Sequence, residues 1–178
     1  MRATRVVRFT IFGAVGFGGG AALAGALLRL VGLPLTGSVG GAALGFALKD
    51  WRRTMNLALL GALGMTVGAI AGLVVGSFFS YASMGPIAAT VGAVVGASLG
   101  AALSDWRTIL ALAVAGAVGF YAGSLPADFV RFYVPVLRQL GESGSYVVVG
   151  LVGGASLGVA LGYLEYSKLA AEPRPRVR

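Results

Sequence analysis

Apolar and polar positions are segregated along this chain into long apolar runs separated by short charged stretches. About 20 consecutive apolar residues cross a bilayer as a helix, with a working range of roughly 17–25. The runs do not alternate and are too long for barrel strands. The pattern therefore predicts an all-α integral membrane protein, a single membrane domain over residues 1–178. Its six predicted transmembrane helices have the approximate bounds 7–31, 35–48, 57–81, 86–103, 109–124 and 146–164.

Glycines recur within these spans at a spacing of four, which places them on one face of each helix. A face without side chains lets a neighbouring backbone approach closely, and in lipid such close packing drives helix association. Plain helix packing is the favoured interpretation, and a pore lining is the alternative. The sequence thus predicts a bundle packed through glycine ridges, namely Gly37, Gly41 and Gly45; Gly64, Gly68, Gly72 and Gly76; Gly92, Gly96 and Gly100; and Gly150, Gly154, Gly158 and Gly162.

These ridges resemble those of the proteolipid rotor subunits of ATP synthases, which are hairpins with an Arg-containing polar turn. Those subunits need a mid-membrane carboxylate to carry the ion. Here all six acids lie at span ends or in loops. The resemblance is therefore one of packing style and implies no shared activity.

The second and third spans recur as the fourth and fifth at an offset of 55 residues. Residues 37–52 align with 92–107, so that the glycine ridge and the Asp-Trp-Arg turn that follows it are both repeated. An offset of two spans preserves topology, and the helical hairpin is therefore expected as a parallel repeat. The sequence GASLG at 96–100 is also found at 154–158, which extends the repeat into the sixth span.

Composition and charge place the chain in a membrane and orient it there. The chain is 57% hydrophobic and 11% charged, against about 25% charged residues in average soluble domains. With six spans, one side carries 11 basic residues and the other carries Arg29, Arg131 and Arg138. The positive-inside rule then predicts a multi-pass plasma (inner) membrane protein with both termini and both Asp-Trp-Arg turns in the cytoplasm.

The Asp-Trp-Arg turns are predicted to lie at the head-group boundary, where tryptophan and basic side chains are favoured. Asp50 is expected to cap the helix that follows it. The predicted ligands are anionic lipid head groups on the cytoplasmic side rather than nucleic acid, and a partner protein is the alternative. The predicted interfacial residues are Trp51, Arg52, Arg53, Trp106 and Arg107.

Residues 125–144 form the one long segment outside the predicted spans. Aromatic and aliphatic residues, among them Phe129 and Tyr133, fall on one helical face, and Arg131 and Arg138 fall on another. The pattern predicts an extracytoplasmic amphipathic segment lying on the membrane; a lid over a pore and a docking site are the alternatives. Residues 169–178 form a basic C-terminal tail.

The sequence offers little catalytic chemistry. It has no Cys and no His, which removes thiolate and imidazole metal ligands and the corresponding nucleophile and base. No catalytic residue, cofactor or metal is therefore predicted. The expected function is that of a non-catalytic polytopic membrane protein, an accessory or scaffolding subunit bound to other membrane subunits or to itself. The alternative is a small channel or carrier for a neutral or weakly polar solute.

Overall fold

The computed structural model describes residues 2–27, 32–78, 84–103, 105–133 and 142–171. Within these ranges the chain is helical and contains no strand, as the apolar runs predict. The helices are α1 (Arg2–Leu27), α2 (Gly32–Leu48), α3 (Trp51–Phe78), α4 (Gly85–Ala101), α5 (Trp106–Tyr133) and α6 (Glu142–Ala171).

Four of the helices are long and apolar enough to cross a membrane. The apolar stretches are Thr4–Ala24, Trp51–Phe78, Trp106–Pro126 and Gly144–Ser167. The other two helices, α2 and α4, have 17 residues each, so each is about 26 Å long at 1.5 Å per residue. They therefore fall at the lower limit for crossing a hydrocarbon core about 30 Å thick.

Every helix begins before its predicted span, α1 at Arg2 rather than near residue 7, and α6 also runs on to Ala171 rather than ending near 164. α3 begins at Trp51, directly after the charged turn, and α5 passes through Pro126 to Tyr133. Proline disfavours a helix interior because it lacks the amide hydrogen and its ring crowds the preceding turn. The first part of the predicted interfacial segment nevertheless continues α5. Residues 134–141 of that segment and residues 172–178 of the tail lie outside the described residues.

The six described helices form a closed ring in which each one packs against its neighbours in chain order. α6 also packs against α1, so these two helices close the ring, and α4 and α6 touch only slightly. Neighbouring helices are antiparallel: residues from Gly37 to Gly45 on α2 meet residues from Gly61 back to Thr54 on α3. As a result, α1, α3 and α5 begin at the ring end where α2, α4 and α6 finish.

Apolar side chains fill the interior of the ring. The rings of Phe17 and Phe120 meet edge to face, with centroids 6.1 Å apart and planes at 85°, a favourable aromatic arrangement. The buried cluster around them consists of Phe9, Leu44, Ala47, Leu57, Met65, Val95, Leu99, Leu112, Leu157 and Leu161. Large apolar side chains also cover the outside: Val15, Leu59 and Val114 are each more than 60% exposed.

Candidate functional site

Charged side chains gather at the ring end where α1, α3 and α5 begin. We call this set the basic rim; its described members are Arg5, Arg8, Lys49, Arg52, Arg53 and Arg107, together with the acids Asp50, Asp105 and Glu165. The antiparallel order of the helices brings these residues to one end although they are far apart in sequence. The rim includes Arg52, Arg53 and Arg107, the three arginines predicted to lie at the head-group boundary of the Asp-Trp-Arg turns.

The turn between α2 and α3 is held by Asp50. The amide N–H groups of Arg52 and Arg53 donate to its Oδ1 at 3.0 and 3.3 Å, and Arg53 Nε lies 3.3 Å from its Oδ2. The carboxylate therefore satisfies amides at the start of α3 that have no partner within the helix. The predicted cap is confirmed. Lys49 takes a φ of 60°, the left-handed conformation that commonly ends a helix.

The turn between α4 and α5 is built in the same way. The amide N–H of Arg107 donates to Asp105 Oδ1 at 3.1 Å, and the Thr108 hydroxyl donates to Oδ2 at 3.1 Å. The Arg107 guanidinium lies 5.6 Å from the centroid of the Trp106 ring, within reach of a cation–π contact. Both repeated turns thus start a helix with a capping Asp followed by Trp and Arg.

Aromatic side chains lie beside the basic groups of the rim. Trp51 and Trp106 are 66% and 65% exposed, so neither is a core residue. The Trp51 ring meets Phe46 edge to face at 6.3 Å. Arg8 Nη2 donates to the Phe46 carbonyl oxygen at 3.4 Å, and its guanidinium lies 5.7 Å from the Phe12 centroid. Sequence reasoning missed Arg8, Phe12 and Phe46 because α1 and α2 meet here through residues 38 positions apart.

Three of the glycine ridges lie against the backbone of a neighbouring helix. A β-carbon placed on any of these residues would meet main-chain atoms of that helix. The ridges of α2 and α4 face α3 and α5 respectively, and the ridge of α6 faces α1. The pairings are Gly37 with Gly61, Gly41 with Leu57, Gly45 with Thr54, Gly92 with Gly116, Gly96 with Leu112, Gly100 with Ile109, Gly150 with Phe17, Gly154 with Gly13, Gly158 with Phe9 and Gly162 with Val6.

The ridge of α3 has a different environment, because it faces α4 largely through side chains. A β-carbon on Gly64 would lie 2.7 Å from Ser98 Oγ, and one on Gly72 would lie 3.1 Å from Ile87 Cγ2. On Gly68 it would lie 3.1 Å from the Val91 carbonyl oxygen. Gly76 is buried in α3.

Three glycines outside the predicted ridges lie opposite ridge glycines on the neighbouring helix. Gly13, Gly61 and Gly116 each face a ridge glycine, and in every pair the two backbones touch without an intervening side chain. Gly61 and Gly116 occupy equivalent positions in the repeat with an offset of 55 residues. This equivalence could have identified them as contact residues. Gly13 has no such signal, because its partner Gly154 lies at the far end of the chain.

Several hydroxyl groups within the helices donate hydrogen bonds to main-chain carbonyls. Thr66, Thr90 and Ser98 donate to Ala62, Pro86 and Val94 of their own helices at 2.8–2.9 Å. Ser156 differs because its hydroxyl lies 2.7 Å from the Ala115 carbonyl oxygen of α5 as well as 2.9 Å from that of Gly153. It therefore links α5 and α6 directly.

Within the described residues, no three His, Cys, Asp or Glu side chains are grouped so that they would hold a metal ion. Comparison with protein-family models, with curated proteins and with solved structures finds no match for this chain.

Proposed function

We propose that this chain is a polytopic membrane protein with a non-catalytic role, an accessory or scaffolding component that packs against other membrane subunits or against itself. The observation that carries the proposal is the distribution of apolar side chains, which fill the ring and also cover its outside. An outer surface of this kind would cause aggregation in water. In a bilayer it is the surface that lipid chains or other transmembrane helices contact.

The glycine contacts support a structural role for the bundle. Close backbone approach gives a helix interface in lipid its van der Waals attraction. The proposed unit is a glycine-packed hairpin used three times, as α2–α3, α4–α5 and α6–α1. Three copies of one unit would give a compact and rigid ring with an outer surface available to partners.

The proposed orientation follows from the rim. Its basic residues are favoured on the cytoplasmic side of a membrane, and its exposed tryptophans are favoured at either membrane surface. We infer that the rim faces the cytoplasm, with both termini on that side, and that the protein resides in the plasma (inner) membrane. Labelling of single cysteines introduced at Gly144 and Ser167 tests this, because the chain contains no native cysteine. An impermeant thiol reagent applied outside intact cells should modify only the residue at 144.

The scaffolding role is tested by the mass of the protein as extracted from its native membrane. In mild detergent, native mass measurement should give a homo-oligomer or a complex with other membrane subunits. A chain that is monomeric and free of partners at every detergent concentration would contradict this role.

Transport is the competing function, and the described interior gives it little support. The centre of the ring is occupied by Phe17, Phe120 and the aliphatic residues around them. A solute path there would require these side chains to move. Flux of water or glycerol into reconstituted vesicles should therefore equal that of empty vesicles. A protein-dependent flux that Gly96→Leu abolishes would favour the channel or carrier instead.

A further inference from the structure

The three helix ends nearest Trp51 hold more positive charge than any other part of the basic rim. We call this group the α1–α3 corner; it consists of Arg5, Arg8, Lys49, Arg52 and Arg53, with Asp50 as its one acid. Asp50 is already engaged by Arg53 and by two amides of α3. The corner holds no second acid for its other four bases. The equivalent turn between α4 and α5 has one base, Arg107, and one acid, Asp105.

The bases of this corner come from two separate chain segments. Lys49, Arg52 and Arg53 belong to the turn between α2 and α3, whereas Arg5 and Arg8 lie on α1. The hydrogen bond from Arg8 to the Phe46 carbonyl brings the two groups together, since Phe46 lies one turn before Lys49. Packed helices have axes about 8–10 Å apart. The corner therefore offers two neighbouring positive centres rather than one.

Exposed aromatic side chains lie next to these bases. Phe46 and Trp51 contact each other and are 55% and 66% exposed, and Phe12 lies beneath the Arg8 guanidinium. Aromatic rings just inside a ring of cations are suited to the boundary between lipid head groups and acyl chains. A soluble anion would use the cations alone, but a lipid would use both features.

We propose that the α1–α3 corner binds an anionic lipid whose head group carries two phosphates, one at each basic centre. The inference rests on the proposed membrane function, because it requires the rim to lie at a bilayer surface. The α4–α5 turn has the same cap and the same Trp-Arg pair but only one base, and it does not form such a site. The lipid would therefore occupy one of the repeated turns and not the other.

Binding to the full-length protein in mild detergent tests the proposal. The probes are three lipids that carry the same kind of acyl chain. The first has two phosphodiester groups joined by glycerol, the second is phosphatidylglycerol, which has one phosphate, and the third is zwitterionic phosphatidylcholine. The two-phosphate lipid should bind at least tenfold more tightly than phosphatidylglycerol. Equal binding of these two would overturn the assignment, and so would equally tight binding of inorganic pyrophosphate, which has no acyl chain.

Matched variants locate the site. Arg52→Gln and Arg107→Gln remove the same residue of the two repeated turns. Arg52→Gln should weaken binding of the two-phosphate lipid about fivefold, the equivalent of about 1 kcal/mol for one base at an anionic surface. Arg107→Gln should weaken it less than twofold, and Arg52→Lys should retain most of the binding. Equal losses in the two Gln variants would contradict a single preferred corner.

Alkaline extraction of membranes separates this inference from the proposed function. A protein that is released from membranes by alkaline carbonate contradicts the membrane function itself. A protein that is retained and monodisperse but shows no preference among the three lipids contradicts the lipid site alone.

Discussion

At the scale of single residues, most glycines in the structure stand where a side chain would meet another helix. A β-carbon on Gly96 would run into the Leu112 carbonyl, whereas a β-carbon on Gly19 would meet nothing within 4 Å. Both residues lie in the interior of a helix, so the usual helix-propensity advantage of alanine, about 1 kcal/mol, applies to both. Alanine substitution at the two positions therefore distinguishes the effect of helix packing on stability from the effect of helix propensity.

We expect Gly96→Ala to destabilise the protein by about 1–3 kcal/mol, because the main chain of α5 cannot move aside as a flexible side chain would. Gly19→Ala should be neutral or stabilising. Unfolding of both variants in mixed detergent micelles measures the difference. Equal stabilities would mean that α4 and α5 do not pack at this distance.

The capping aspartates are a second feature of single residues. Asp50→Ala removes an acceptor for two amides at the start of α3 and should cost about 1 kcal/mol, within a range of roughly 0.5–2. Asp50→Asn retains a capping oxygen and should cost much less. The same detergent titration compares the two variants. If both were equally destabilised, the loss would come from charge rather than from the cap.

At the scale of helices, neighbouring elements are joined by backbone contact and, among the described residues, by side-chain hydrogen bonds from Arg8 of α1 to α2 and from Ser156 of α6 to α5. Ser156 of α6 donates to a carbonyl of α5, while Ser98 of α4 donates only within its own helix. Both lie against a glycine of the preceding helix, Gly119 and Gly64 respectively. A comparison of Ser156 with Ser98 therefore measures the contribution of an interhelical hydrogen bond to the stability of the protein.

Ser156→Ala should destabilise the protein by about 0.6 kcal/mol, the average measured for such bonds in a membrane bundle. Ser98→Ala should change stability by less, because it leaves every interhelical hydrogen bond in place. Chemical shifts of the Ala115 carbonyl carbon give an independent measure. A shift that is unchanged by Ser156→Ala would rule out the bond between α5 and α6.

At the scale of the whole molecule, the ring is closed by contact between α1 and α6. Gly154 and Gly13 meet through their backbones as Gly37 and Gly61 do within a continuous hairpin. The pair α6–α1 therefore has the geometry of a hairpin without its turn. The start of α1 and the end of α6 also lie at the same end of the ring.

We therefore expect a circular permutant to fold, with a short linker joining the original termini and new termini within residues 28–31. It should be retained by membranes, remain monodisperse in detergent and unfold within a few degrees of the parent protein. As a control, new termini placed within α3, between Gly64 and Met65, should abolish folding. If the first permutant also failed to fold, α6 and α1 would need independent ends.

The sequence contains enough to predict the helices, because their signals are local. Long apolar runs, glycines at a spacing of four and the Asp-Trp-Arg turns each concern residues within a few turns of one another, and the Asp50 cap depends on contacts two and three residues away. The bounds were predicted less well. α3 and α5 begin at Trp51 and Trp106 rather than near residues 57 and 109, and α5 continues past the predicted end at 124 to Tyr133.

Helical character, high apolarity and the positions of the charged turns were determined by the sequence alone, because each depends on hydrogen bonding and hydropathy along a continuous stretch of chain. Only the tertiary structure decided which glycine faces which helix, that α6 closes on α1, that Phe17 and Phe120 meet in the interior, and that Arg8 joins the turn at Asp50. The glycine pairings within the α2–α3 and α4–α5 hairpins join residues 9 to 24 positions apart, and the contacts of Arg8, of Phe17 with Phe120 and of α6 with α1 join residues 38 to more than 140 positions apart. Their choice depends on how whole helix faces fit together, and no local pattern specifies that fit.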